Sequence, residues 1–169
     1  MAIRVGIALG SNIGNRLSHL RDARDMLRKL VEPDSLYLQA PIYQSQPVDC
    51  SDSSPDFFNT VVEIEYIGEP YELLAQTQGI EFHMGRESVH EHNAPRIIDL
   101  DILYFGNEKM EDGILNIPHP RLTSRLFVLQ PLSDIRPNLV LPGDDVTISE
   151  HLKHLETDEP ELTLVQTTW

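Results

Sequence analysis

The order in which two hydrophobic periodicities follow one another constrains this chain more than any other feature. Residues 3–9, IRVGIAL, are apolar and β-branched and run to Gly10, which predicts a strand. Residues 14–31 place Leu17, Leu20, Ala23, Leu27 and Leu30 at helical spacing, with Asn12 or Asn15 available as a cap. Residues 35–45, SLYLQAPIYQS, predict a strand in which Pro41 marks an edge or a bulge. A strand over 57–67, a helix over 69–85 and a strand over 97–105 follow; Pro70 lies in the helix's first turn and Gly85 just past its end. The resulting β-α-β-β-α-β order is that of an α+β, ferredoxin-like antiparallel sheet with helices packed on it in αβα layers. Gly106-Asn107 is expected to open a hairpin into ILNIPH, and 123–135 to form a helix disturbed by Pro131. A short helix near 147–156 and a terminal strand in ELTLVQ make a C-terminal α/β extension. With no repeat and no linker, residues 1–169 are expected to form one domain.

The formal net charge of −14 argues against a nucleic-acid binder, which needs basic surface against phosphates. It leaves room for a small anionic ligand where cations gather locally. No apolar run approaches the roughly 20 residues of a membrane span, and the first residues lack the long apolar region of a signal peptide. The one cysteine, Cys50, allows no intrachain disulfide and fits a reducing cytoplasm, which is the expected location.

Against that background two carboxylates stand out in APRIIDLDILYF. Asp99 and Asp101 flank Leu100 inside a strongly apolar strand, whose flanks predict a central place in the sheet. Residues two apart on a strand share a face at about 6.6–6.8 Å. One reading is a solvated outer face. The other is a site for magnesium, which relieves the repulsion between the carboxylates and takes one or two of them plus substrate phosphates. Arg96 precedes Asp99 by three residues and Arg86 follows the second helix, so guanidinium forks for phosphate bracket a polar loop. Each arginine alone also fits a surface ion pair. IPHPRLTSRLF gathers His119, Arg121 and Arg125 before a helix, which suits an anion or, equally, a rigid proline turn with solvated arginines. GSNIGNR lacks the Lys-Ser/Thr of a phosphate loop and is taken as a tight strand-to-helix turn. Phe57, Phe58 and Phe127 are core residues by default, and Asn59 beside them is a possible buried polar specifier.

These segments together resemble the 6-hydroxymethyl-7,8-dihydropterin pyrophosphokinases of folate biosynthesis. The resemblance runs from LGSNIGNR through PDFFNTVVEIE and IEFHMGR, and is strongest at HNAPRIIDLDILYFG and IPHPRLTSRLFVLQPL. It implies transfer of diphosphate from ATP to the pterin hydroxymethyl oxygen, with release of AMP. It further implies two magnesium ions on Asp99 and Asp101, and Arg86 and Arg96 on the transferring group. Gln78, Glu81, His119 and Arg125, with those two arginines, would contact ATP. Asn59 would hydrogen-bond the pterin between Phe57 and Phe127, and Ser45, Gln46 and Val48 would read its edge. Asp101 is the candidate for taking the hydroxyl proton. The loop before Ala94 departs from the basic loop of bacterial members: RESVHEHNAPR carries Glu87 and Glu91, and Asn93 where they have an aromatic residue. The expected partners are these two small molecules, with neither nucleic acid nor membrane, and the expected state is a monomer. An Asp-pair nucleotidyltransferase or cyclase, or a non-catalytic nucleotide- or pterin-binding domain, are the alternatives.

Overall fold

The computed structural model describes residues 1–46, 55–85 and 97–169. Its elements in chain order are β1 (Ile3–Ser11), α1 (Arg16–Arg28), β2 (Tyr37–Gln39), β3 (Ile42–Ser45), β4 (Phe57–Tyr66), α2 (Pro70–His83) and β5 (Asp99–Phe105). The hairpin β6 (Met110–Glu111) and β7 (Asn116–Ile117) comes next, then α3 (Leu126–Ile135), α4 (Ile148–His154) and β8 (Thr163–Gln166). The main sheet runs β5-β1-β4-β3-β8, with β2 also paired to β4. Every pairing described is antiparallel. The predicted strand over 35–45 is thus two short strands, parted at Ala40-Pro41 because proline cannot donate to the ladder.

Alternation along the strands divides the core in two. Val5, Ile7, Leu9, Val62, Ile64, Ile98, Leu100 and Ile102 meet Leu20, Ala23 and Leu27 of α1 and Leu73 and Ile80 of α2. On the other face Val61, Leu103 and Tyr104 meet Val128, Leu129 and Leu132 of α3 and Ile148 of α4. Each such aliphatic side chain contributes about 1.5–3 kcal/mol on burial. The ferredoxin-like sheet is therefore covered on both sides, which gives the αβα layers. Asn15 is the cap of α1, its side chain accepting from Ser18 N at 3.1 Å, and Pro70 begins α2.

Two expectations need correction. β5 is not central: it lies at the end of the sheet and, among the described residues, pairs only with β1. Its apolar composition comes instead from layers above and below it. Its outer edge is closed by other groups, Glu81 Oε2 accepting from Leu100 N at 3.0 Å and Leu103 O accepting from His119 N at 2.7 Å. Gly106-Asn107 does turn the chain, Glu108 N donating to Phe105 O, but it does not close a hairpin of β5. The hairpin is β6-β7, closed at Asp112-Gly113. There Asp112 Oδ1 accepts from Ile114 N and Leu115 N, and Gly113 has a φ of 83°.

Candidate active site

The register of the sheet assembles the site. Asp99 pairs with Gly10, Gly10 with Asn59, and Asn59 with Tyr43, which makes one row across four strands. Asp101 pairs with Ala8, and Ala8 packs against the α3 side. Ile98, Leu100 and Ile102 belong to the opposite cluster, so both carboxylates face the α3 layer. Asp99 is half-buried and Asp101 exposed. Asn59 is buried, and its Nδ2 donates to Ser45 Oγ at 2.5 Å. Phe57 shares this face two residues away.

Gly10 separates Asp99 from Asn59, and its lack of a side chain matters. A Cβ there would stand 3.1 Å from Asn59 Oδ1 and 3.6 Å from Phe57 Cδ1. The sequence marked Gly10 only as a turn. Its role in keeping this row hollow follows from register, which no local pattern encodes.

The segment after β7 forms the adjoining wall. Arg121 N donates to His119 Nδ1 at 3.1 Å, so the neutral ring carries its proton on Nε2. Burial holds His119 below the ordinary histidine range; nearby Arg125 and Arg121 push the same way, and Asp101 opposes them. A neutral N–H donor, two guanidinium groups and a carboxylate thus share one neighbourhood. The Arg125 guanidinium carbon lies 5.5 Å from the Phe127 ring centroid at the start of α3.

Glu81 approaches from α2. It is buried, and its bond to Leu100 N fixes the strand between the two aspartates. Gln78 stands exposed one turn earlier, and Gln46 is exposed just past β3. Arg86, Arg96 and Val48 lie outside the described residues.

GSNIGNR ties the frame of the site. Ser11 Oγ donates to Ile97 O at 2.5 Å, Asn12 Nδ2 to Pro55 O at 3.4 Å and Arg16 Nη1 to Asp56 O at 2.7 Å. The Arg16 guanidinium also lies 4.0 Å from the Phe58 ring centroid. These contacts set where β4 and β5 begin, a function that the turn reading left unstated.

Among the described residues no cluster of three or more histidine, cysteine, aspartate or glutamate side chains is arranged for a metal. Two hard oxygen donors on one face remain. They suit magnesium, which usually keeps several waters and draws its other ligands from phosphates, better than an all-protein cage.

Comparison with known proteins gives the family. Residues 6–137 match the family model described as 7,8-dihydro-6-hydroxymethylpterin-pyrophosphokinase (HPPK). The 2-amino-4-hydroxy-6-hydroxymethyldihydropteridine pyrophosphokinase of Bacillus subtilis is 43% identical over 129 residues, 76% of this chain and 75% of that protein. The chain belongs to the HPPK family. The folic acid synthesis protein fol1 of Pneumocystis carinii is 36% identical over 151 residues, 89% of this chain, and the chain spans 20% of that protein's length. Among solved structures, an HPPK-DHPS of Plasmodium falciparum superposes with a TM-score of 0.71 at 19% identity. That match takes in 90% of this chain and 44% of the other, and shows the shared fold.

Proposed function

We propose that this chain is an ATP-dependent pyrophosphokinase that transfers diphosphate from ATP to the hydroxymethyl group of 6-hydroxymethyl-7,8-dihydropterin and releases AMP. One observation carries the proposal: the sheet register sets the Asp99–Asp101 pair and Asn59 on one face, on either side of Gly10, in a chain of the HPPK family. The pterin hydroxyl oxygen attacks the β-phosphorus in line, the bond to the α-phosphate bridging oxygen breaks, and AMP departs. Such transfer depends on positioning and on neutralising charge.

Family membership implies magnesium-dependent use of ATP. Asp99 and Asp101 are assigned as the ligands of two magnesium ions, which when bound would neutralise and orient the phosphate chain. Asp101, exposed at the mouth of the site, is the carboxylate assigned to take the hydroxyl proton. His119 presents its Nε2 proton, and Arg125 its guanidinium, to phosphate oxygens. Burial favours the neutral ring, which keeps that donor without adding a further charge. Glu81 holds the strand carrying the aspartates and, with Gln78, forms the α2 side of the nucleotide site. Asn59 offers its amide to the pterin, Phe57 and Phe127 its apolar walls, and Ser45, Gln46 and Val48 its edge. Arg86 and Arg96 are assigned to the transferring diphosphate on their sequence positions alone. The same reading takes residues 1–169 as one domain acting as a cytoplasmic monomer. Among the described residues no helix is long and apolar enough to cross a membrane.

The test is an assay of AMP release from ATP with magnesium and the hydroxymethyl pterin. AMP formed in step with pterin diphosphate is the expected result. Free pyrophosphate, a cyclic nucleotide, or no AMP at saturating magnesium would each defeat the proposal.

A further inference from the structure

At the opposite end of the sheet lies a polar constellation that the reaction proposed above does not use. Glu63 on β4 is fully buried on the α3 side. Its Oε1 accepts from Arg4 Nε, and its Oε2 accepts from Arg136 Nη1 and from the Tyr104 hydroxyl. A carboxylate taken out of water needs partners of this quality, because its desolvation costs several kcal/mol. Burial of Glu63 therefore fixes both guanidinium groups in place while balancing only one of their two charges.

Those arginines also line an open cavity of about 750 Å³, together with Lys109, Ile3, Phe105 and Leu139. Apart from the bonds to Glu63, their side-chain N–H groups make no hydrogen bond to protein among the described residues, and the Lys109 ammonium has no acidic partner there. Exposed Glu108 stands on the same lining. Cations so arranged on a chain of net charge −14 are a local reversal of its field. Ile3 and Gly10 are seven residues apart on β1, so this cavity is about 24 Å from the Asp99 row.

We infer that this cavity is a second binding site, for a phosphate monoester with an apolar or aromatic body. Arg4 and Arg136 supply forked donors held rigid by Glu63, and guanidinium forks match phosphate oxygens. Lys109 adds a further charge, and set against Glu63 and Glu108 the three cations leave one net positive charge to meet a phosphate dianion. Half-buried Ile3 and Leu139 receive the body, and the volume lies in the range of small-molecule sites.

Calorimetric titration of the full chain with phenyl phosphate tests the inference, with magnesium and a non-hydrolysable ATP analogue present at saturation. The expected result is saturable one-to-one binding, about tenfold or more tighter than that of inorganic phosphate. Lys109→Glu sets a like charge against the ligand and should weaken binding at least about tenfold, with AMP formation unchanged. Arg4→Lys keeps a cation on Glu63 but removes the fork, and should weaken binding while the chain stays folded by circular dichroism. No saturation up to about 10 mM, equal affinity for inorganic phosphate, competition by the ATP analogue, or full binding in Lys109→Glu would overturn it.

Discussion

Gly10 shows how a residue with no side chain can define a site. It lies in ordinary extended backbone within β1, so a substitution meets only the space problem beside Asn59 and Phe57. Gly10→Ala is expected to raise the KM for the pterin severalfold with kcat less affected, and Gly10→Val to raise it further. Steady-state kinetics with pterin varied at saturating ATP checks this; an unchanged KM in both variants would remove Gly10 from the site. The two aspartates were legible at this scale because alternation is local, as Ile98, Leu100 and Ile102 take the opposite face and leave them one shared face. Gly10 and Glu63 were not. Their partners lie on other strands, Gly10 beside Asn59 and Glu63 against Arg4, Tyr104 and Arg136, and no short window contains both sides of such a contact.

At the scale of elements, β5 is the instructive case. A strand so apolar suggests neighbours on both sides, yet this one is an edge. It is protected by a carboxylate from α2 and a backbone N–H from the segment after β7. Removing the first of these tests its part in holding the aspartates. Glu81→Ala leaves the buried Leu100 N–H without that acceptor and should cost about 1–3 kcal/mol of stability, together with most of the turnover. Glu81→Gln retains an acceptor oxygen and should keep most of the stability. Denaturant unfolding of the two variants separates these outcomes, and equal stability would show that the bond to Leu100 is dispensable.

The α4 element carries a pH dependence of its own. His151 Nε2 lies 2.5 Å from Asp144 Oδ2, and that hydrogen bond holds the Asp144 carboxyl below its ordinary value of 3.8. A carboxylate whose folded pKa is depressed adds stability above its unfolded pKa and loses it as pH falls through the folded value. The stability gap between the wild type and Asp144→Asn should therefore be full near about pH 5 and shrink towards about pH 2. Unfolding curves across that range check the sign. A gap that widens on acidification would contradict it.

For the whole molecule, the order of periodicities carried the fold: β-α-β-β-α-β admits few compact arrangements, and the antiparallel ferredoxin-like sheet is the one observed. Less legible was the way α3 and α4 seal the second face and leave its two ends polar. One end carries Asp99, Asp101, His119 and Asn59, the other Glu63 with its arginines. That division depends on which residues a buried layer covers, a property of packing rather than of pattern. The central claim is that the Asp99–Asp101 pair at the first end performs magnesium-dependent diphosphate transfer. AMP release by Asp99→Ala and Asp101→Ala over a magnesium titration tests it most directly. Loss of several kcal/mol of charge stabilisation predicts a fall of about a hundredfold or more in each variant, not recovered at high magnesium, with far-ultraviolet circular dichroism unchanged. Either variant turning over at the wild-type rate would make the pair a structural feature and contradict the account.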